Sequence, residues 1–255
     1  MRLLLVAALL WLAPLAHAGI LYDNTDDRLV CGDNAAWAIR NVFISAWVKL
    51  GDNGTATDII LGWSDTAVNN DKPYLWSIGS GGVLKFDRFA PSGGAALGTV
   101  AVDNSAWHHV AMWLDDPNNL VYFWVDGAQE SITYTETFSG AEGNNLSVGA
   151  VHSSVAYTDF FPGTIDEVSL WNTATIPSAQ DIALLASSRT RRMPLQVLPS
   201  ALVLYLPMDD SADGTSADVD AFMDLSATRS TACAGDDGAN NTGLTAQAGA
   251  VLSYP

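Results

Sequence analysis

WHHVAMWLDDPNNLVYFWVDG, residues 107–127, decides the fold. Trp107 to Leu114 and Leu120 to Val125 are rich in β-branched and aromatic residues, which suit a pleated, half-buried surface. Between them, Asp115-Asp116-Pro117-Asn118-Asn119 concentrates turn chemistry. Two such runs about such a linker predict an antiparallel hairpin with a longer loop. The same signal recurs outward on both sides. Val42–Leu50 (VFISAWVKL), Asp58–Trp63, Tyr74–Ile78 and Val83–Phe89 precede it, and Leu146–Val151, Gly163–Trp171 and ALVLYLPM at 201–208 follow. Gly, Asn and Asp clusters separate these runs, which describes a sandwich or barrel rather than alternating strands and helices. Only 177–186 has helical spacing, with Ile182 and Leu185 at i, i+3 and Ser178 as its N-cap. It predicts one short helix of about two turns.

Residues 1–18 read as a signal peptide. Arg2 supplies a positive start, Leu3 to Leu15 form an apolar stretch, and Ala16-His17-Ala18 gives the small-x-small pattern of a cleavage site. The stretch falls short of the roughly 20 apolar residues of a membrane anchor. The expectation is a secreted, extracellular protein cleaved after Ala18, without membrane insertion, beginning at Gly19. A formal charge of −17 argues against nucleic acid and anionic membrane as partners, since both demand clustered Lys and Arg. Among the acids only Glu130, Glu136, Glu142 and Glu167 are glutamates. The rest are Asp beside Gly, Asn and Ser, a composition of many turns and few helices. Two cysteines, Cys31 and Cys233, lie near opposite ends of the mature chain. An even count in an exported protein favours a Cys31–Cys233 disulfide; two unpaired thiols are the other possibility.

Four segments together resemble a known family. They are Leu21 to Val30 (LYDNTDDRLV), Phe43 to Lys49 (FISAWVK), the hairpin WHHVA…VYFWVDG, and Gly163 to Asn172 (GTIDEVSLWN) followed by the short helix. Their order and content resemble the laminin-G-like, pentraxin-related jelly rolls of the concanavalin A-like superfamily. The resemblance implies an all-β, two-sheet antiparallel jelly-roll sandwich. Ala201 to Asp210, Asp224-Leu225-Ser226 and Ala248 to Tyr254 resemble the family's opening strands, displaced here to the C-terminus. Either the domain is circularly permuted and 201–255 complete it, or those residues are the stub of a second unit. An unpaired strand as apolar as 201–208 is an aggregation hazard. The expectation is therefore one permuted domain over 19–255.

The superfamily includes glycoside hydrolases, whose retaining members hold two carboxylates about 5 Å apart. Glu130, Glu136 and Glu142 lack their E-x-D-x-x-E spacing, and Asp166-Glu167 are adjacent, which on a regular strand sends them to opposite faces. There is no G-x-S-x-G, H-E-x-x-H or Cys/His metal spacing. His108 and His109 read as parts of the hairpin. No catalytic residue is assigned, and the protein is expected not to be an enzyme. The resemblance implies a structural Ca2+ held by Asp23 and Asp166; the other reading of Asp166 is a cap on backbone groups at a sheet edge. Asp209-x-Ser211-x-Asp213-Gly214 reads as chance turn chemistry. Trp63 and Trp76 are the aromatics expected to be exposed for stacking on sugar. The function expected is a secreted, non-catalytic recognition module for carbohydrate or a surface ligand, calcium-dependent, with a glycan or a cell-surface or extracellular protein as partner. The alternatives are a structural or adhesive surface or virion component and, third, a glycoside hydrolase.

Overall fold

The structure, a computed structural model, describes residues 19–32, 39, 41–51, 57–64, 72–89, 95–102, 106–135, 145–153, 156–187, 194–206 and 208, and the backbone of 218–219, 233–236 and 245–246. Residues 1–18 and 209–214 lie outside this set.

The chain enters as β1 (Ile20–Asp23) and β2 (Arg28–Gly32), then β3 (Val42–Leu50), β4 (Asp58–Ser64), β5 (Lys72–Gly79), β6 (Val83–Phe89) and β7 (Ala96–Ala101). The hairpin read from sequence follows as β8 (His108–Asp115) and β9 (Leu120–Val125). A single 3-10 turn, Asp116–Asn118, joins them and closes on Asn119 in the left-handed conformation, φ 54°. Next come β10 (Ala128–Thr133), β11 (Asn145–Val148), β12 (Val151–Ser153), β13 (Ala156–Thr158) and β14 (Pro162–Asn172). Helix α1 (Ala179–Ser187) is capped as expected: Asp181 N–H donates to Ser178 Oγ at 3.1 Å, and Ser178 N–H donates back to Asp181 Oδ2 at 3.0 Å. The last described elements are β15 (Leu202–Leu206), β16 (Asp218–Val219), β17 (Cys233–Asp236) and β18 (Thr245–Ala246).

Two antiparallel sheets form the jelly-roll sandwich. Sheet A has the order β10-β9-β8-β3-β14-β1-β18, with β15 also on β14, and sheet B the order β16-β17-β2-β11-β4-β5-β6-β7. Alternation sends Val42, Ile44, Ala46 and Val48 of β3 inward to meet Tyr74, Trp76 and Ile78 of β5 in one buried core. A second apolar layer covers part of the outer face of sheet A. There Phe43, Trp113, Trp124, Trp171 and Tyr205 pack against Ile182 and Leu185 of α1. Trp113 and Trp171 donate their indole N–H to the carbonyls of Thr173 (3.0 Å) and Val197 (2.8 Å), so the buried rings keep their polar edge satisfied. The run Leu146–Val151, expected as one strand, breaks at Gly149. A Cβ there would overlap the ring of Tyr22, and φ is +82°.

Side chains stitch the sandwich shut along the β7/β10 edge. Glu130 of β10 accepts from Thr99 N–H and Oγ of β7, both at 2.8 Å through Oε2. Beside it, the Arg88 guanidinium pairs with Asp116, which also accepts from the Tyr134 hydroxyl at 3.0 Å.

Candidate functional site

Asp23 ends β1 in sheet A and Arg28 begins β2 in sheet B, so the chain must pass between the sheets within Asn24–Asp27. Asn24 takes φ 67°, a conformation Asn tolerates better than most residues. Asp23 Oδ1 accepts from Thr25 N–H at 2.8 Å, and Asp23 N–H donates to Asp27 Oδ2 at 2.8 Å. These bonds gather one carboxylate oxygen from each of Asp23, Asp26 and Asp27 to within 4.8 Å of one another. Asp23 is exposed, Asp26 half-buried and Asp27 buried. Three hard anionic oxygens at graded depth suit a divalent cation of the calcium type.

Asp166 does not join them, which corrects the expected Asp23–Asp166 pair. Asp23 pairs with Pro162, and Asp166 lies four residues further along β14. At about 3.3 Å per residue that is roughly 13 Å, too far for two carboxylates to share one ion. Of this cluster the resemblance points to Asp23 alone; Asp26 and Asp27 carry no family motif that marks them in the sequence.

Arg28 leads directly from this loop into an aromatic cluster. Its Nη1 donates to the Asp26 carbonyl at 2.7 Å, and its guanidinium carbon lies 4.2 Å from the Tyr157 ring centroid. Asn145 Nδ2 donates to the Tyr157 hydroxyl at 2.8 Å, and the His152 ring meets Tyr157 edge-on at 4.8 Å. Burial pushes the His152 pKa down, and the charge of Arg28 adds to the effect. The β12–β13 hairpin carries His152 and Tyr157. It is pinned to the outer face of sheet B by Val151, which packs on Ile59 and Leu75. All four polar side chains are half-buried, so they are held in place without being sealed in the core.

Trp63 and Trp76 are not part of any such surface. Their expected exposure is corrected: Trp63 is 1% and Trp76 0% exposed. Both lie on the inward parity of β4 and β5 and fill the space between the sheets. A ring enclosed on both faces has none left for a sugar. Sequence pattern does not single out Tyr157, because the three-residue strand that carries it is too short to show one.

The outer face of sheet A holds a buried polar row. Ser45 Oγ and His109 Nε2 are 2.9 Å apart. A hydrolytic relay would need an acid on the other imidazole nitrogen. Asp126 instead accepts the His109 backbone N–H through Oδ1 at 2.9 Å and contacts His108 Nδ1 through Oδ2 at 2.6 Å. Burial holds the His109 pKa down at about 4 against the pull of Asp126, so the ring is neutral at pH 7. Nearby, the β14–β3 register slips between Asp166 and Ser169, and Glu167 takes φ +53°. Ile165, Val168 and Leu170 all face the core, which leaves Asp166 and Glu167 together on the outer side. The expectation that they take opposite faces is corrected, because it assumed a regular strand. Asp166 is 2% and Glu167 8% exposed, with Glu167 Oε2 accepting from the Tyr205 hydroxyl at 2.6 Å.

Residues 23–183 match a laminin-G family described as the concanavalin A-like lectin/glucanases superfamily. No curated protein sequence matches the chain. Among solved structures, it is similar to a candidate carbohydrate-binding protein of Bacteroides ovatus at 17% identity and TM-score 0.58. That alignment covers 87% of this chain and 58% of the other, so the chain spans little over half the length of that protein. It is similar also to the native heptameric SAP-like pentraxin of Limulus polyphemus, at 14% identity and TM-score 0.51 over 71% of this chain and 86% of the pentraxin. The CBM40 of the Ruminococcus gnavus IT-sialidase gives 12% identity and TM-score 0.50 over 66% and 96%. It has been solved bound to α2,3 sialyllactose as well. Identities this low speak for the fold alone. With the family match spanning more than half its length and the two-sheet jelly roll beneath it, the chain belongs to the concanavalin A-like lectin/glucanases superfamily.

Proposed function

We propose that this protein is a secreted, non-catalytic recognition module that binds a glycan at the end of the sandwich formed by the Asp23–Asp27 loop and the Tyr157 cluster, with calcium in the loop. The observation that carries this reading is contiguity: Arg28 bonds the Asp26 carbonyl on one side and covers Tyr157 on the other. A cation held by Asp23, Asp26 and Asp27 would fix the loop and thereby Arg28, Tyr157 and Asn145. When bound, calcium supplies a hard Lewis-acidic centre that sugar hydroxyls can ligate. Aromatic, cationic and carboxamide groups in one partly open cluster suit a polyhydroxylated ligand. The candidate carbohydrate-binding protein and the CBM40 among the structural neighbours support the class. The buried state of Asp166 and Glu167 supports the non-catalytic part of the reading.

The mature chain on this reading is one permuted domain, 19–255, exported by cleavage after Ala18. Its C-terminal strands complete both sheets: β15 pairs with β14, β18 with β1 and β17 with β2. The β17–β2 register, carried on by one residue, sets Cys233 opposite Cys31, which supports a disulfide between them. A glycan array probed with the purified protein in calcium and in chelator tests the function. Binding in calcium that is lost in chelator is expected; silence under both conditions points to an adhesive or structural component instead.

A further inference from the structure

One flank of β14 is shared by two strands. β1 pairs with its first half, from Pro162 to Ile165, and β15 with its second, from Val168 to Trp171. They meet at Asp166–Glu167, where the bulge lies. The β1 register, continued by one residue, sets Gly19 opposite Asp166. Gly19 is buried, and the space around it is closed: a Cβ there would lie 2.7 Å from Thr164 Cγ2 and 3.0 Å from both the Ile165 carbonyl oxygen and Trp107 Cη2. Only a glycine can occupy the position unstrained. On the reading of cleavage after Ala18, the mature chain thus begins with the residue type that this crowded position favours, next in register to Asp166.

Hydrolysis of the Ala18–Gly19 peptide bond consumes one water, leaves Ala18 as a carboxylate and gives Gly19 an amine that is protonated at neutral pH. An ammonium created in a buried place is costly unless an opposite charge meets it there. We propose that cleavage after Ala18 is a maturation step, in which the new Gly19 ammonium docks on the Asp166 and Glu167 carboxylates and locks the start of β1 against the β14 bulge. Glu167 keeps the Tyr205 hydroxyl and Asp166 the Glu167 backbone N–H while they receive it. The docking therefore ties β1, β14 and β15 together at one point. This inference rests on the secretion reading above, and not on glycan binding.

The intact mass of the secreted protein comes first. A start at Gly19 is expected, and any other start overturns the cleavage reading and the docking with it. With that start established, thermal melts compare the mature chain, the chain with one Ala added ahead of Gly19 (verified by mass), Asp166→Asn, and the two changes combined. Each single change is expected to lower the Tm by about 3–6 °C, and the combination by no more than the larger of them, because both remove one ion pair. Additive losses, or an added Ala that leaves the Tm unchanged, overturn the docking while secretion stands. If Asp166→Asn does not fold, Glu167→Gln takes its place in the same cycle. In the mature protein labelled with 15N-glycine, the α-amine is expected to titrate above its ordinary value of about 8. A value at or below it also overturns the proposal.

Discussion

The Tyr205 hydroxyl donates to Glu167 Oε2 at 2.6 Å, joining β15 to the bulge of β14 from the outer side of sheet A. A hydrogen bond to a buried carboxylate is among the stronger ones, because the charge has lost its water. Tyr205→Phe removes the hydroxyl and little volume. It is expected to lower stability by about 1.5–3 kcal/mol. Urea unfolding measures it, and a midpoint equal to that of the wild type would show that the bond contributes nothing.

β15 and Met208 just beyond it make a larger contribution through packing. Leu204, Leu206 and Met208 are buried in the core between the sheets, and Tyr205 in the outer layer. Each buried side chain of this size is worth about 1.5–3 kcal/mol, against a total of only about 5–15 kcal/mol for a typical domain. Deleting 201–255 is therefore expected to yield an unfolded or aggregated chain, because the second half of β14 also loses its ladder. A truncated protein with native circular dichroism and a cooperative melt would instead identify 201–255 as a stub.

The strands were legible because their signal is local. Val42–Leu50, Val83–Phe89 and Leu120–Val125 appear at the residues that pattern alone assigns. The helix was legible through Ser178, whose cap is a chemical requirement of the first turn. The bulge at Glu167 was not, because one inserted residue shifts the ladder without altering composition. Asp23 was picked out by resemblance, but Asp26 and Asp27 join it only through the loop's own hydrogen bonds. Trp63 and Trp76 show a different limit. A tryptophan suits a core and a sugar-binding surface equally, and only the register of β4 and β5 tells which way each ring faces.

Acid should destabilise the fold through His109. Its folded pKa is held at about 4 by burial, against 6.5 for the free side chain. Between those values the unfolded chain binds a proton that the folded chain refuses, so stability is full above about pH 6.5 and is lost as pH falls toward 4. The total loss from this group is about 3 kcal/mol. Asp126 opposes the effect by favouring the charged ring, and its contribution is already within that value. Denaturant midpoints at pH 7, 6, 5 and 4.5 check it against His109→Gln, which is expected to show a flatter decline. Parallel curves for the two proteins would remove His109 from the account.

Calcium should raise the melting temperature through Asp23, Asp26 and Asp27. Ligand at 100 times its dissociation constant adds about 2.7 kcal/mol to a folded state that alone binds it. Asp27→Asn is expected to abolish the shift, since the buried member of the set supplies the deepest oxygen. Asp166→Asn is expected to leave the shift intact whatever it does to the baseline, because it lies roughly 13 Å along the sheet from Asp23. Melts with calcium and with chelator for the three proteins decide it. Loss of the shift in Asp166→Asn alone would restore the pairing that the structure rejects.

Tyr157 and Trp63 should separate binding from stability. Tyr157 is half-buried on a short hairpin, and its partners are Arg28, Asn145 and His152. Tyr157→Ala takes away the surface on which these groups are organised but opens no hole between the sheets. A loss of stability under about 1.5 kcal/mol is expected, with glycan binding reduced at least tenfold, the equivalent of about 1.4 kcal/mol. Trp63 is enclosed in the core beside Tyr74, ring centroids 5.4 Å apart. Trp63→Ala leaves a cavity there and should cost about 3–5 kcal/mol. Trp63→Phe keeps most of the packing, so it should fold and retain glycan affinity. Titration of any array-positive glycan into the three proteins, beside their urea curves, gives both quantities. Full affinity in Tyr157→Ala together with lost affinity in a folded Trp63→Phe would move the site from the hairpin to the β4–β5 face of sheet B.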